Sequence, residues 1–205
     1  GSLISYNRAM FGGALASAGN SSVSISGSSL LGNEAIQGGA MGMTDSSTAH
    51  IENSVFLQNI ASHGGGLALF AGSAALIKYT NFSLNSADVN GGGIYLEALT
   101  NLTVYGSDFV GNKALFGGGL YMQGEASVNL SLVSFYSNEA GICGGALALN
   151  SSHPAYFEDS VTIHFNRAPA GANGGGICTL LREDNTNKCH RFLSIFPFMI
   201  NIAFD

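Results

Sequence analysis

The stretch Phe56-Leu57-Gln58-Asn59-Ile60-Ala61-Ser62-His63-Gly64-Gly65-Gly66-Leu67-Ala68-Leu69 decides the fold, because its skeleton returns along almost the whole chain. Its asparagine has counterparts at Asn7, Asn33, Asn85, Asn112, Asn138 and Asn166, and the successive steps are 26, 26, 26, 27, 26 and 28 residues. A recurrence of that length marks a solenoid, each repeat being one coil laid on the last.

Around each anchor asparagine the chemistry is constant. Three residues before it stands a large apolar side chain: Leu30, Phe56, Phe82, Phe109, Phe135 or Ile163. Two residues after it comes alanine, at Ala9, Ala35, Ala61, Ala87, Ala114, Ala140 and Ala168. A glycine cluster follows, then an alternating apolar pair such as Leu67/Leu69, Ile94/Leu96 or Leu120/Met122. After a polar turn a second pair closes the repeat, for example Ala75/Ile77, Leu102/Val104 or Val128/Leu130. Alternation with period two indicates short strands with one buried face. No stretch of the repeats has the spacing of an amphipathic helix, and the glycine clusters oppose one. The expected fold is therefore all-β: a single-stranded parallel β-helix of about seven coils, with three strands per coil. At about 4.8 Å per coil the rod is on the order of 34 Å long.

Two other repeat architectures fail. Leucine-rich repeats need a leucine-bearing return after the asparagine, where this chain has glycine. The calcium-binding nonapeptide needs an aspartate after its glycines, and none stands there. Charge supplies a check on the stacking. Each basic residue within the repeats meets an acid one coil away at the same register: Arg8 with Glu34, Lys78 with Glu52, and both Lys113 and Arg167 with Glu139.

Only 10% of the 205 residues are charged, the net charge is −6 and tryptophan is absent. With its few cations paired, the chain has no basic patch for phosphate, which argues against nucleic acid as a partner. Residues 1–178 are expected to form one domain of repeats whose N-terminal cap is missing, since Ile4 and Asn7 are already in register. Residues 179–205 break the pattern and are expected to form a C-terminal cap strand or an irregular tail. The apolar run from Phe192 to Phe204 is too short to span a bilayer as a helix, which needs about 20 residues.

The side chains that carry chemistry are sparse. The asparagine column reads as structural, since amides in stacked turns can satisfy backbone groups that would otherwise be buried unpaired. The alanine column and the glycines read as a tight corner. None of His50, His63, His153, His164 and His190 repeats at a stacking register, so no metal site is expected, and His50 should face solvent. Cys143, Cys178 and Cys189 leave open either a Cys178–Cys189 disulfide or free buried thiols. Glu158-Asp159 lacks an acidic partner across a cleft and reads as a solvated pair rather than a glycosidase centre. Asn-x-Ser/Thr sequons begin at Asn20, Asn81, Asn101, Asn129 and Asn150.

The alternation of Phe-x-x-Asn (Phe56–Asn59, Phe82–Asn85, Phe109–Asn112, Phe135–Asn138) with Gly-Gly-Ala-Leu (Gly12 to Leu15, Gly144 to Leu147) resembles the repeats of the chlamydial polymorphic membrane proteins. The resemblance covers residues 1 to about 178. It implies a right-handed β-helix, the passenger of an outer-membrane autotransporter, with adhesion attributed to the repeated motifs. It also implies a location at the cell surface, in the outer membrane or outside the cell. The family's C-terminal barrel is not part of this sequence, so contact with a membrane would come through flanking domains. Similar repeats are those of large secreted or surface proteins of algae and protists.

The function expected is non-enzymatic adhesion or recognition without a cofactor, directed at a host-cell or glycan surface. Tyr95 and Tyr121 are expected to stack on consecutive coils as an exposed contact face. The alternatives are a fragment of a carbohydrate-active β-helix enzyme and a structural spacer.

Overall fold

A computed structural model of the chain describes residues 1–169, 174–181 and 188–191, the last four and Leu181 by backbone alone. It is an all-β parallel solenoid, and the described residues include no helix.

Four parallel sheets run along the rod. Sheet I has seven strands: Leu3–Ser5, Ser29–Leu31, Val55–Leu57, Asn81–Ser83, Asp108–Val110, Ser134–Tyr136 and Thr162–His164. Sheet II is the shortest, with Ile60–His63, Ser86–Asn90, Lys113–Phe116 and Glu139–Cys143. Sheet III, entered after the glycines, includes Met41–Met43, Leu67–Leu69, Ile94–Leu96, Leu120–Gly124, Leu147–Ser151 and Ile177–Leu181. Sheet IV carries the return, through strands such as Thr48–Glu52, Ala74–Lys78, Asn101–Tyr105 and Ser127–Ser131.

Sheet II is a departure from the three strands expected. The segment between the anchor asparagine and the glycines, expected from its sequence to be a corner, is extended and paired from coil to coil. Its alanines are buried, as Ala61 and Ala140 illustrate. The glycines mark the place where this excursion closes. Gly64 adopts a left-handed backbone, φ +65°. A Cβ on Gly65 would stand 2.5 Å from the carbonyl oxygen and 2.7 Å from the nitrogen of Ser86. Backbone therefore meets backbone across the coil, and any side chain would force them apart.

The 27-residue step is a β-bulge in the same sheet. Ala87 pairs with Ala61 and Asn90 with His63, so Asp88 and Val89 together stand opposite Ser62. Gly141 and Ile142 repeat the device opposite Leu115.

Inside the rod, identical side chains lie on one another. The rings of Phe56, Phe82, Phe109 and Phe135 stack at centroid distances of 4.6, 5.1 and 4.6 Å. All four are fully buried, and burying each contributes on the order of 2–3 kcal/mol. The asparagines form a continuous ladder. Asn85 Nδ2 donates to Asn112 Oδ1 at 3.0 Å and to the Phe56 carbonyl at 2.9 Å, and its backbone N–H donates to the same Asn112 oxygen. The pattern repeats from Asn7 to Asn166. A second ladder consists of hydroxyls. Ser28, Ser54, Thr80 and Ser107 each accept an N–H from the preceding coil and donate to the carbonyl two residues back. Its signal was present as a Ser or Thr recurring at the same 26- or 27-residue step.

Pairing continues past residue 178, the boundary expected for the repeats. Ile177–Leu181 joins sheet III, and Lys188–Arg191 lies antiparallel on it. The other segments of the tail, 182–187 and 192–205, on which the expectation of a cap strand or an irregular tail also falls, lie outside the described residues.

Candidate functional site

The repeat-motif residues Phe56, Asn59, Phe82, Asn85, Phe109, Asn112, Phe135 and Asn138 all have 0% exposure. They build the rod from within, so a partner would meet the faces they position rather than the residues themselves.

The outer face of sheet III carries the only sizeable apolar layer outside the main core among the described residues. Ala68, Phe70, Tyr95, Tyr121, Cys143, Ala148 and Cys178 are buried there, with Phe11, Phe116 and Leu180 packed against them. Tyr95 and Tyr121 do stack, 5.9 Å apart and within 8° of parallel. The expectation that they are exposed is wrong: they are 4% and 5% exposed. Residues at the end of sheet II fold back over sheet III one coil further on. His63 lies 5.1 Å from Tyr95, and Tyr95 pairs with Ala68 of His63's own coil. Phe11 fills the space beside Gly42, where a Cβ would come within 2.8 Å of the ring.

The same offset joins Cys143 to Cys178 in a disulfide with Cα atoms 5.8 Å apart. Both cysteines are fully buried. This replaces the Cys178–Cys189 pairing and the free thiols considered above. Backbone pairing does set Cys189 opposite Leu180, but the Cys178 sulfur is committed to sheet II.

Above the buried rings runs a strip of half-buried polar groups. Gln123 Nε2 donates to the Tyr95 hydroxyl at 2.8 Å, while the Tyr121 hydroxyl donates to Gln123 Oε1 at 3.3 Å. Asn150, in register with Gln123 on the next coil, donates to the Tyr121 hydroxyl at 3.2 Å. On the opposite wall Asn90 Nδ2 meets His63 Nδ1 at 3.3 Å. Glu97, one coil before Gln123, completes the strip. Burial pushes the Tyr95 phenol well above its ordinary range, the Glu97 charge adds to this, and the bond from Gln123 opposes it. Burial also lowers the His63 pKa from 6.5, against the opposing pull of Glu97 and Asp88. The imidazole is therefore held mostly neutral at pH 7.

The remaining polar candidates lie apart. Arg8 and Glu34 form an ion pair at 3.1 Å, and Lys113 and Glu139 another at 3.3 Å. Lys78 shares register with Glu52, and Arg167 with Glu139. Two shallow depressions of about 180 and 230 Å³ flank Asp88 along the alanine column. Glu158 accepts from Asn129 Nδ2 at 3.0 Å, and Asp159 from Ser131 Oγ at 2.6 Å, on the far side of the coil. His50 faces solvent on sheet IV. Among the described residues no three His, Cys, Asp or Glu side chains converge as metal ligands. The sequon residues Asn20 and Asn101 are exposed, whereas Asn81, Asn129 and Asn150 are half-buried.

No curated protein and no solved structure matches the chain. The family model of the right handed beta helix region matches residues 13–187. Coils, ladders and family match agree, and the chain belongs to the right-handed β-helix family.

Proposed function

We propose that this β-helix is a non-enzymatic recognition module, displayed on a cell surface or secreted, that adheres through the strip of His63, Asn90, Glu97, Gln123 and Asn150. The observation that carries the reading is the mounting of Gln123 and Asn150. Their amides are fixed by the hydroxyls of a buried, stacked tyrosine pair. Polar groups held in advance on a rigid face lose little freedom on binding, and that is what a recognition surface requires. The ligand class that answers such groups is hydroxyl-rich, as on a host-cell or glycan surface.

Other features are consistent with this reading. A buried disulfide suits an exported protein, because such bonds persist in oxidising compartments. The resemblance to autotransporter passengers points to display at the outer membrane, with attachment to the membrane supplied by flanking domains. Arg8 and Lys113 are neutralised by carboxylates, and a net charge of −6 is unfavourable to a polyanion such as nucleic acid.

Attachment of the purified chain to cells and to an immobilised glycan array tests the reading. Replacing Gln123 and Asn150 together by alanine is expected to lower attachment at least tenfold with the circular dichroism spectrum unchanged. Undiminished attachment would remove the strip from consideration. Incubation with uronate polymers is expected to yield no unsaturated or new reducing ends, and their appearance would establish an enzyme instead.

A further inference from the structure

We propose that the strip is a subsite for amino sugars, with the Glu97 carboxylate receiving a protonated amine and the Gln123 and Asn150 amides receiving neighbouring hydroxyls. The proposal rests on the recognition reading above and names its ligand. Three observations carry it.

The first is charge. The ion pairs among the described residues engage Glu34 and Glu139, and Glu97 is in neither. Among the described residues, the titratable groups that interact with it are Tyr95, two residues before it, and His63 across the corner, with Asp88 beside His63. None of these is a cation at pH 7, since burial keeps the imidazole mostly neutral. A half-buried carboxylate in such company favours an ammonium and disfavours a uronate.

The second is unused hydrogen-bonding capacity. An amide has two N–H groups and an oxygen with two lone pairs. Gln123 spends one N–H on Tyr95, and Asn150 spends one on Tyr121. Each keeps a further N–H, and the Tyr95 hydroxyl, which accepts from Gln123, still has its own hydrogen to give. These groups form an array of donors beside the carboxylate, suited to ring hydroxyls.

The third is spacing. Glu97, Gln123 and Asn150 occupy consecutive coils, so the strip repeats about every 4.8 Å. That step is comparable to the length of one sugar ring in an extended chain. The rings beneath, with Phe70 5.4 Å from Tyr95 and Phe116 6.4 Å from Tyr121, hold the hydroxyls in place.

The test is titration of the full chain by calorimetry with three trimers: β-linked glucosamine, β-linked N-acetylglucosamine and α-linked galacturonate. The glucosamine trimer is expected to bind at pH 6 and to weaken at least tenfold at pH 8.5, where its amines lose their protons. The acetylated trimer should bind at least tenfold more weakly, and the galacturonate trimer should give no heat of binding. Glu97→Gln should cost at least tenfold at pH 6, while Asp108→Asn, an exposed carboxylate on sheet I, should leave the affinity unchanged. Equal binding of the acetylated trimer, or equal losses from both substitutions, would overturn the assignment. Absence of binding by all three would also overturn it. In that event attachment of the Gln123/Asn150 double variant to cells still decides the broader recognition reading by itself.

Discussion

His63 packs 5.1 Å from the ring of Tyr95, one coil further along the rod, in the same offset by which Cys143 reaches Cys178. In the lateral layer these two contacts are equivalent, each joining the end of sheet II to the back of sheet III one coil on. One of them is covalent. The chain spanned by that bond is 35 residues long, for which loop-closure entropy gives a stabilisation of ~3–4 kcal/mol. Reduction, or Cys143→Ser with Cys178→Ser, should lower the melting temperature. Hydrogen exchange should rise first in Leu147–Ser151 and Ile177–Leu181. Unchanged exchange in those strands would show that the link carries no load.

The His63 imidazole provides a pH dependence whose sign follows from its burial. Its pKa in the fold lies below the unfolded value of 6.5. The unfolded chain therefore takes up the proton more readily. The stabilisation is complete above pH 6.5 and is lost as the pH falls through the folded value. Melting temperature should decline on acidification below about pH 6.5. Replacing His63 by glutamine should flatten that part of the profile, and a proton NMR titration of His63 gives the folded pKa directly.

The asparagine ladder predicts a penalty for interrupting it. Asn85→Ala removes the acceptor of two donors on Asn59 and leaves the Phe56 carbonyl without its side-chain partner. Stranding buried groups in this way costs ~1–3 kcal/mol for each group left unsatisfied. Chemical denaturation should show a loss of at least ~2 kcal/mol. A smaller loss would mean that water enters the column.

The glycines should differ sharply among themselves. Gly65→Ala drives a methyl group into the Ser86 backbone at 2.5 Å and should prevent the coil from closing, with little folded protein recovered. Gly19→Ala meets nothing within 4 Å and carries only the cost of its left-handed backbone, φ +64°. That cost is ~1–2 kcal/mol, a modest shift in melting temperature. Equal behaviour of the two variants would refute the close approach.

In the Phe column, Phe109→Ala leaves a hole between Phe82 and Phe135 and should cost ~3–5 kcal/mol. Phe109→Leu should cost less, since Leu30 already occupies the same column and is fully buried. Thermal denaturation of the two variants checks the order.

Reading the sequence recovered what repeats along the axis: the stack of Phe56 on Phe82, the ladder through Asn59 and Asn85, and the pairing of Arg8 with Glu34 and Lys113 with Glu139. Each of these relates a residue to its own counterpart one period away. What escaped relates different columns to each other. Alternation shows that Tyr95 and Tyr121 point away from the main core, but not that His63 folds over the first and Phe116 packs against the second from another part of the coil. For the same reason the repeat does not mark Cys143 as the partner of Cys178. Their meeting depends on how sheet II turns back beyond Gly144, which no period reports. The strip of Gln123 and Asn150 is equally invisible to the repeat, because its order comes from two tyrosines whose alternation alone suggests a solvent-facing side.

The asparagine ladder gives the rod a direction. Each side-chain amide from Asn7 to Asn138 hands a hydrogen to the oxygen of the following coil, never the reverse. Any slice of the rod thus shows vacant oxygens on one cut surface and spare hydrogens on the other. Two slices can be joined only head to tail, as in a polar filament, so a longer array of these coils keeps one orientation throughout and cannot reverse partway along.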